Sequence, residues 1–184
     1  MDNFIASTAI KMTPIKPYGL FHLSFFIIGL LLSIYIAIKL KKLSIKKLNN
    51  LLFILGIILT IFELYKQLFY TFYIGKGSYQ WWIFPFQLCS MPMYFCLILP
   101  FIKKPKVYNA IMSFLVSYNL LGGFVAFLEP SGLIHPYLFL TIHAFSWHML
   151  VVFIGLLVGF NQNIKYKLKD FINNFYLFVI FVYL

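Results

Sequence analysis

The stretch Tyr18–Leu40, YGLFHLSFFIIGLLLSIYIAIKL, decides the fold of this chain. It contains no acidic residue, and its only formally charged side chain is Lys39, next to the end. It exceeds the roughly 20 apolar residues that a helix needs to cross a bilayer. The chain as a whole is 62% hydrophobic and 10% charged, whereas a soluble domain carries about 25% charged residues. These features predict an all-α, polytopic transmembrane bundle in which residues 1–184 form a single integral membrane domain.

Six hydrophobic segments are visible along the chain. They are Tyr18–Leu40, Leu51–Tyr73, Trp82–Phe101, Val107–Phe127, Leu138–Phe160 and Phe171–Leu184. The last is too short to cross the hydrocarbon layer, which needs about 20 residues. We therefore expect either a truncated chain that lacks the rest of this helix or a segment that spans only half of the membrane.

The basic residues predict the orientation of the bundle. Lysines are abundant after the first, third and fifth segments, whereas only Lys76 follows the second and none follows the fourth. The positive-inside rule then places the N-terminus outside. Since the lysines cluster in short loops, we interpret the net charge of +11 as a determinant of orientation and exclude nucleic acid as a partner. The expected location is the cell membrane, as a multi-pass protein; the oligomeric state stays open.

Several polar side chains lie within the predicted spans, where such groups are costly and indicate function. A rise of about 1.5 Å per residue places them all about 8–15 Å below the outer boundary. They are Glu63, Lys66, Gln87, Cys89, Asn119, His143 and His148. This bias toward one leaflet predicts a polar cavity in the outer half of the bundle, in contact with membrane lipids.

Structural roles compete with functional ones for these residues. Glu63 and Lys66 are three apart and can pair on one helix face, and Asn119 can form an interhelical hydrogen bond. Gly122 and Gly123 favour close helix packing. His135, in a predicted outer loop, is expected to be solvated.

We predict no metal site and no cofactor. His143 and His148 are five apart on one helix, whereas helical metal pairs prefer spacings of three or four. Cys89 and Glu63 are the side chains that would have to complete such a site.

Cys89 and His148 are the candidate catalytic pair. Cys89 lies in PFQLCSMP, where Pro85 is expected to begin the helix and Pro92 to kink it, which would expose the carbonyl of Leu88 beside the thiol. A cysteine is a strong nucleophile as the thiolate, and a histidine at the same depth is a suitable base. Cys96 is interpreted as a small apolar core residue.

Two stretches resemble a known family. Phe84–Cys89 (FPFQLC) is similar to a Pro-x-(His/Gln)-Leu-Cys segment of the YwaF-type bacterial integral membrane proteins. The stretch from Leu121-Gly122-Gly123 to His148 resembles their glycine-rich helix end, proline-containing outer loop and histidine-bearing helix. The family is related to an animal membrane acyltransferase that remodels ether phospholipids.

The resemblance implies a lipid acyltransferase or lipid-ester hydrolase that acts on an acyl lipid, with Cys89 and His148 as its catalytic pair. Gln87 or Asn119 is a candidate oxyanion donor, and Glu63 either orients His148 or neutralises Lys66. Two other classes stay open. One is a small solute or ion transporter, and the other is a non-enzymatic membrane partner subunit whose polar residues hold helices together.

Overall fold

Helices make up nearly all of the regular structure in residues 2–182, the part of the chain that the computed structural model describes. The α-helices of this range are α1 Asp2–Thr8, α2 Leu20–Lys39, α3 Ile45–Leu68, α4 Met91–Ile98, α5 Pro105–Val116, α6 Tyr118–Leu128, α7 Leu138–Phe160 and α8 Leu168–Val182. A π-helical turn, Phe69–Ile74, extends α3. Short 3₁₀ turns cover Trp81–Ile83, Leu88–Ser90, Leu99–Phe101 and Pro130–Leu133.

The predicted helical membrane bundle is confirmed. Within residues 2–182, four helical stretches are long and apolar enough to cross a membrane: Leu20–Lys39, Ile45–Ile74, Pro105–Leu128 and Leu138–Phe160. They correspond to the first, second, fourth and fifth predicted segments. The sixth segment forms part of α8, and its last two residues lie outside the described range.

The third segment is shorter than predicted, because helix does not begin at Trp82. After the turn Trp81–Ile83 the chain becomes extended at Phe84 (φ −50°, ψ 131°), the conformation favoured before a proline. The continuous helical stretch is Leu88–Phe101, which spans about 21 Å. The predicted segment therefore contains non-helical chain between Phe84 and Gln87, and the helical part follows it.

Pro92 begins a helix and does not kink one. It occupies the first turn of α4, a position where a proline's missing N–H costs no hydrogen bond. The Leu88 carbonyl, expected to be exposed, accepts a hydrogen bond from the Met91 N–H. Cys89 consequently lies in the 3₁₀ turn that leads into the helix.

Helix α7 lies at the centre of the bundle and packs against α2, α3, α5 and α6, while α4 packs on α3 and α8 on α5. Glycines allow the closest approaches. A Cβ at Gly29 of α2 would lie 2.7 Å from Met149 of α7, and one at Gly123 of α6 would lie 2.7 Å from Val152 of α7. The two adjacent glycines of α6 differ, since a Cβ at Gly122 would meet no atom within 4 Å.

This difference predicts opposite outcomes at neighbouring positions. We expect Gly123→Leu to lower the free energy of unfolding by about 1–3 kcal/mol, the usual cost of overpacking a filled contact. Gly122→Leu, the matched control, should change it by less than about 0.5 kcal/mol. Reversible unfolding in mixed micelles measures both, and equal destabilisation by the two variants would contradict the packing described here.

The N-terminal segment packs on the end of the bundle where the chain passes from α6 to α7. Ile5 of α1 is buried against Phe69 and Tyr70. The Leu138 N–H donates to the Ile10 carbonyl at 2.9 Å, and the Met12 N–H donates to the Pro136 carbonyl at 3.0 Å. These contacts hold the loop between α6 and α7 against the π-helical turn.

Candidate functional site

A polar cavity of about 120 Å³ lies at this end of the bundle, between α3, α7 and the start of α4. Its polar lining residues are Lys66, Tyr70, Trp82, Gln87, Cys89, Ser90, His135, His143, Trp147 and His148. Five of the residues singled out from the sequence therefore share one space: Lys66, Gln87, Cys89, His143 and His148. The structure thus brings the predicted cysteine and histidine to the same cavity.

Trp147 positions the backbone of Cys89. Its indole Nε1 donates to the Cys89 carbonyl at 3.1 Å, which ties α7 to the 3₁₀ turn Leu88–Ser90. The thiol of Cys89 donates to Gln87 Oε1 at 3.7 Å. The side chain of Cys89 is partly exposed, whereas Cys96 is fully buried in the apolar core, as expected of a packing residue.

His148 presents one ring nitrogen as a base. Its Nδ1 lies 2.8 Å from the Ala144 carbonyl of the preceding helical turn. A carbonyl only accepts, so Nδ1 carries the proton and the neutral ring leaves Nε2 unprotonated. Cys89 and His148 are not hydrogen-bonded to each other among the residues described. Both residues line the same cavity.

His143 is held by the neighbouring helix in the opposite tautomer. Its Nε2 lies 3.0 Å from the Phe62 carbonyl of α3, which makes Nε2 the protonated nitrogen. The ring stacks on Trp147, with centroids 5.9 Å apart and planes 26° apart. His143 therefore links α3 to the tryptophan that holds Cys89.

Glu63 does not contact His148. Its Oε1 accepts from Lys66 Nζ at 2.9 Å and from Gln67 Nε2 at 2.7 Å. Gln67 also donates to the Ile83 carbonyl at 2.7 Å, so this network attaches the irregular chain before Cys89 to α3. Glu63 is buried behind Lys66, and only Lys66 lines the cavity.

Asn119 lies outside the polar cavity. Its Nδ2 donates to the Leu115 carbonyl at 3.1 Å and to the Val151 carbonyl at 2.8 Å. The Asn119 amide thus joins the start of α6 to Leu115 near the end of α5 and to Val151 of α7, as the interhelical interpretation expected. Asn119 lines a different pocket, which also reaches Cys89.

The comparison with protein families agrees with this architecture. The model of the TMEM164 family matches residues 17–184. The chain belongs to the TMEM164 family. This is a membrane-protein family, and the matched residues include every residue of the polar cavity. The family match does not confirm the resemblance to YwaF-type proteins. No curated protein and no solved structure matches the chain.

This TMEM164 family chain has a cavity histidine that sequence reasoning missed. His135 was expected to be solvated in the loop, but it is half-buried and lines the cavity, 3.5 Å from the Tyr70 hydroxyl through Nδ1. Burial lowers the pKa of His135 below its ordinary value, so its ring is neutral at pH 7. The signal available in the sequence was its position in a short loop directly before the segment that carries His143 and His148.

The described residues of this family member contain no group of three His, Cys, Asp or Glu side chains that could hold a metal ion. One ring nitrogen of each of His143 and His148 contacts a backbone carbonyl. Each imidazole is therefore oriented by its own carbonyl and not by a ligand that the two rings share.

The bond from Trp147 to Cys89 makes a prediction about local stability. Trp147→Phe keeps the ring but leaves the Cys89 carbonyl without its donor, so we expect a loss of about 1–3 kcal/mol in the free energy of unfolding. Trp81→Phe is the control, because Trp81 is 77% exposed. Unfolding in mixed micelles measures the loss. Equal stability of the two variants would show that the bond contributes nothing.

Proposed function

We propose that the chain is a lipid acyltransferase or lipid-ester hydrolase with Cys89 as nucleophile and His148 as base. The observation that carries the proposal is that both side chains line one polar cavity, with His148 Nδ1 engaged by the Ala144 carbonyl so that Nε2 is the basic nitrogen. A thiol and an oriented imidazole are the groups that acyl transfer through a thioester requires. The acyl lipid comes from the membrane that surrounds the bundle.

In the proposed reaction His148 Nε2 takes the thiol proton, and the Cys89 sulfur attacks the ester carbonyl. The carbon–oxygen ester bond breaks, the leaving alkoxide takes the proton from His148, and an acyl thioester remains. A lysolipid hydroxyl or water, which gives its proton to His148 Nε2, then attacks the thioester carbonyl. The carbon–sulfur bond breaks, and the leaving Cys89 thiolate takes the proton back from His148. His143 and Trp147 act as positioning residues, since they contact each other and the Cys89 backbone.

Gln87 is the better of the two candidate oxyanion donors. Its Nε2 makes only a long contact, 3.4 Å, with the Trp82 carbonyl, whereas both N–H groups of Asn119 are used between helices. A donor aimed at the developing oxyanion contributes about 3–4 kcal/mol in well-studied enzymes. The Gln87 amide adjoins the thiol through Oε1, so a small rotation presents Nε2 to the reacting carbonyl.

Covalent capture tests the proposal. Purified protein in nanodiscs is incubated with phospholipid that carries an alkyne-tagged acyl chain, and the tag is located by peptide mass spectrometry. We expect a label on Cys89 that neutral hydroxylamine removes, absent in Cys89→Ala and His148→Ala but present in Cys96→Ala. A label on both cysteines, or on neither, would overturn the thioester mechanism.

The two other functional classes predict different results for substitutions at the same residues. A transporter predicts solute flux that is insensitive to loss of Cys89. A non-enzymatic partner subunit predicts that Cys89→Ala is neutral while changes to Glu63 or Lys66 destabilise the protein. The core of the bundle is an apolar cluster that includes Leu59, Phe95 and Cys96. A filled apolar core favours a reaction on membrane lipids over passage of a polar solute through the bundle.

A further inference from the structure

Cys89 forms part of the wall of two separate spaces. One is the polar cavity of about 120 Å³ that also contains the histidines. The other is a pocket of about 270 Å³ on the opposite side, between the start of α4 and α6. This second pocket is lined by Gln87, Leu88, Cys89, Tyr118, Asn119, Gly122 and Val151, and we call it the lateral pocket.

The lateral pocket faces the direction from which a lipid arrives. Leu88 in its wall is 39% exposed, and Leu121, beside Gly122, is 62% exposed. Exposed leucines on a membrane-spanning helix contact the acyl chains of the bilayer. A chain that enters between α4 and α6 therefore stays in an apolar environment until it reaches the sulfur.

An acyl group bonded to Cys89 has to occupy one of these two spaces. The polar cavity carries the Lys66 ammonium and three imidazoles, which lose hydration when an alkyl chain covers them. The lateral pocket has no charged lining residue and is walled mainly by apolar groups of Leu88, Tyr118 and Val151. Alkyl surface is favoured in an apolar pocket by about 25 cal/mol for each Å² that is removed from water.

We infer that the acyl chain of the thioester lies in the lateral pocket, and that Gly122 determines how much chain the pocket admits. The inference rests on the proposed function, and it adds the place and the size limit of the acyl group. The polar cavity is then left for the ester oxygen, the leaving alcohol and the incoming hydroxyl, next to His148. The two sides of Cys89 thus separate the apolar and the polar parts of the same substrate.

Gly122 is the position at which the pocket can be changed without disturbing the bundle. A Cβ there meets no atom within 4 Å, so a larger side chain fills the pocket and does not strain helix packing. Gly132 is the matched position on the other side. It lines the polar cavity, and a Cβ there also meets no atom within 4 Å.

The pocket can be measured with reagents that need no catalytic turnover. Alkyl methanethiosulfonates from methyl to decyl transfer their alkylthio group to a thiolate: a sulfur–sulfur bond forms, the bond to the sulfonyl group breaks, and methanesulfinate leaves with the electron pair. The rate at Cys89 is followed by peptide mass spectrometry in nanodiscs. A Leu31→Cys reference in a Cys89→Ser background corrects for partition into the bilayer, because Leu31 is exposed on α2.

After this correction, we expect decyl to exceed methyl by about tenfold or more at Cys89, the scale of selectivity that an apolar pocket provides. Gly122→Leu should remove this preference, and Gly122→Val should shift it toward shorter chains. Gly132→Leu should keep the ratio within about twofold of the unmodified protein. Thermal unfolding of each variant establishes that the fold is retained.

An unmodified protein without a chain-length preference, or a preference that survives Gly122→Leu and Gly122→Val, would overturn the inference. Failure of the proposed function is distinguishable, because it appears as lipid turnover that persists in Cys89→Ala. In that case the alkyl preference at Cys89 would still report an apolar lipid pocket.

Discussion

Replacing Cys89 by alanine is expected to abolish lipid acyl turnover by the purified protein, with a loss of about 10³-fold or more, as for the removal of other nucleophiles. The acyl group of the proposed thioester is bonded to this sulfur. In the proposed mechanism Gln87, Trp147 and His148 form no covalent bond to the substrate, so they cannot replace it. Turnover is measured as release or transfer of a labelled acyl chain from phospholipid in nanodiscs.

Cys96→Ala is the matched control, since Cys96 lies on α4 two turns from Cys89 and is fully buried in the apolar core. It should retain turnover within about threefold, because the substitution removes one small apolar group far from the cavity. His148→Ala should approach the loss in Cys89→Ala, because residues that act as a unit are not additive. Turnover that is unchanged in Cys89→Ala would end the acyl-transfer proposal.

Replacing Lys66 by methionine is expected to cause the largest loss of stability, about 3–5 kcal/mol in the free energy of unfolding. Glu63 is 4% exposed, and within the described part of the chain its carboxylate would keep only the Gln67 amide as a donor. Glu63 Oε2 has no hydrogen-bond partner among the residues that the structure describes, so loss of the ammonium leaves a buried, uncompensated charge. Unfolding in mixed micelles at pH 7 measures the change.

The double variant Glu63→Gln with Lys66→Met tests whether charge is the cause. It retains an acceptor for Gln67 and removes both charges, so most of the lost stability should return. If the double variant is as unstable as Lys66→Met, the loss comes from packing of the lysine stem and not from the ion pair. If Lys66→Met alone costs less than about 1 kcal/mol, the pair is dispensable for the fold.

These two predictions separate chemistry from structure. Cys89→Ala removes a group that only the reaction needs, whereas Lys66→Met damages the network that joins α3 to Ile83 and so to the chain before Cys89. A scaffold protein would show the second effect and not the first.

The membrane class and the positions of the four long helices followed from the sequence. An apolar stretch such as Tyr18–Leu40 forms an α-helix in a bilayer, because its backbone must form its hydrogen bonds within the segment. The depth of a side chain also follows from sequence, since every residue of a helix adds the same rise. That reasoning placed Cys89, His143 and His148 at one level, and they do line one cavity.

Tertiary packing decided which residues line the polar cavity. Asn119 was predicted at the same depth as the cavity residues, yet its amide donates to the Val151 carbonyl of α7 and lies outside the polar cavity. His135, dismissed as a loop residue, lines the cavity because the N-terminal segment presses its loop against the π-helical turn. Depth is a property of one helix, whereas the direction in which a side chain points is set by the neighbour against which that helix packs.

The start of the third helix was decided in the same way. The sequence predicted a helix that begins at Pro85, which is wrong, because the contacts from Gln67 to the Ile83 carbonyl and from Trp147 to the Cys89 carbonyl stabilise an extended segment followed by a 3₁₀ turn. Both partners are distant in sequence. Local helix propensity carries no information about such bonds. The backbone position of Cys89 therefore depends on Gln67 and Trp147, which lie outside its own segment of the sequence.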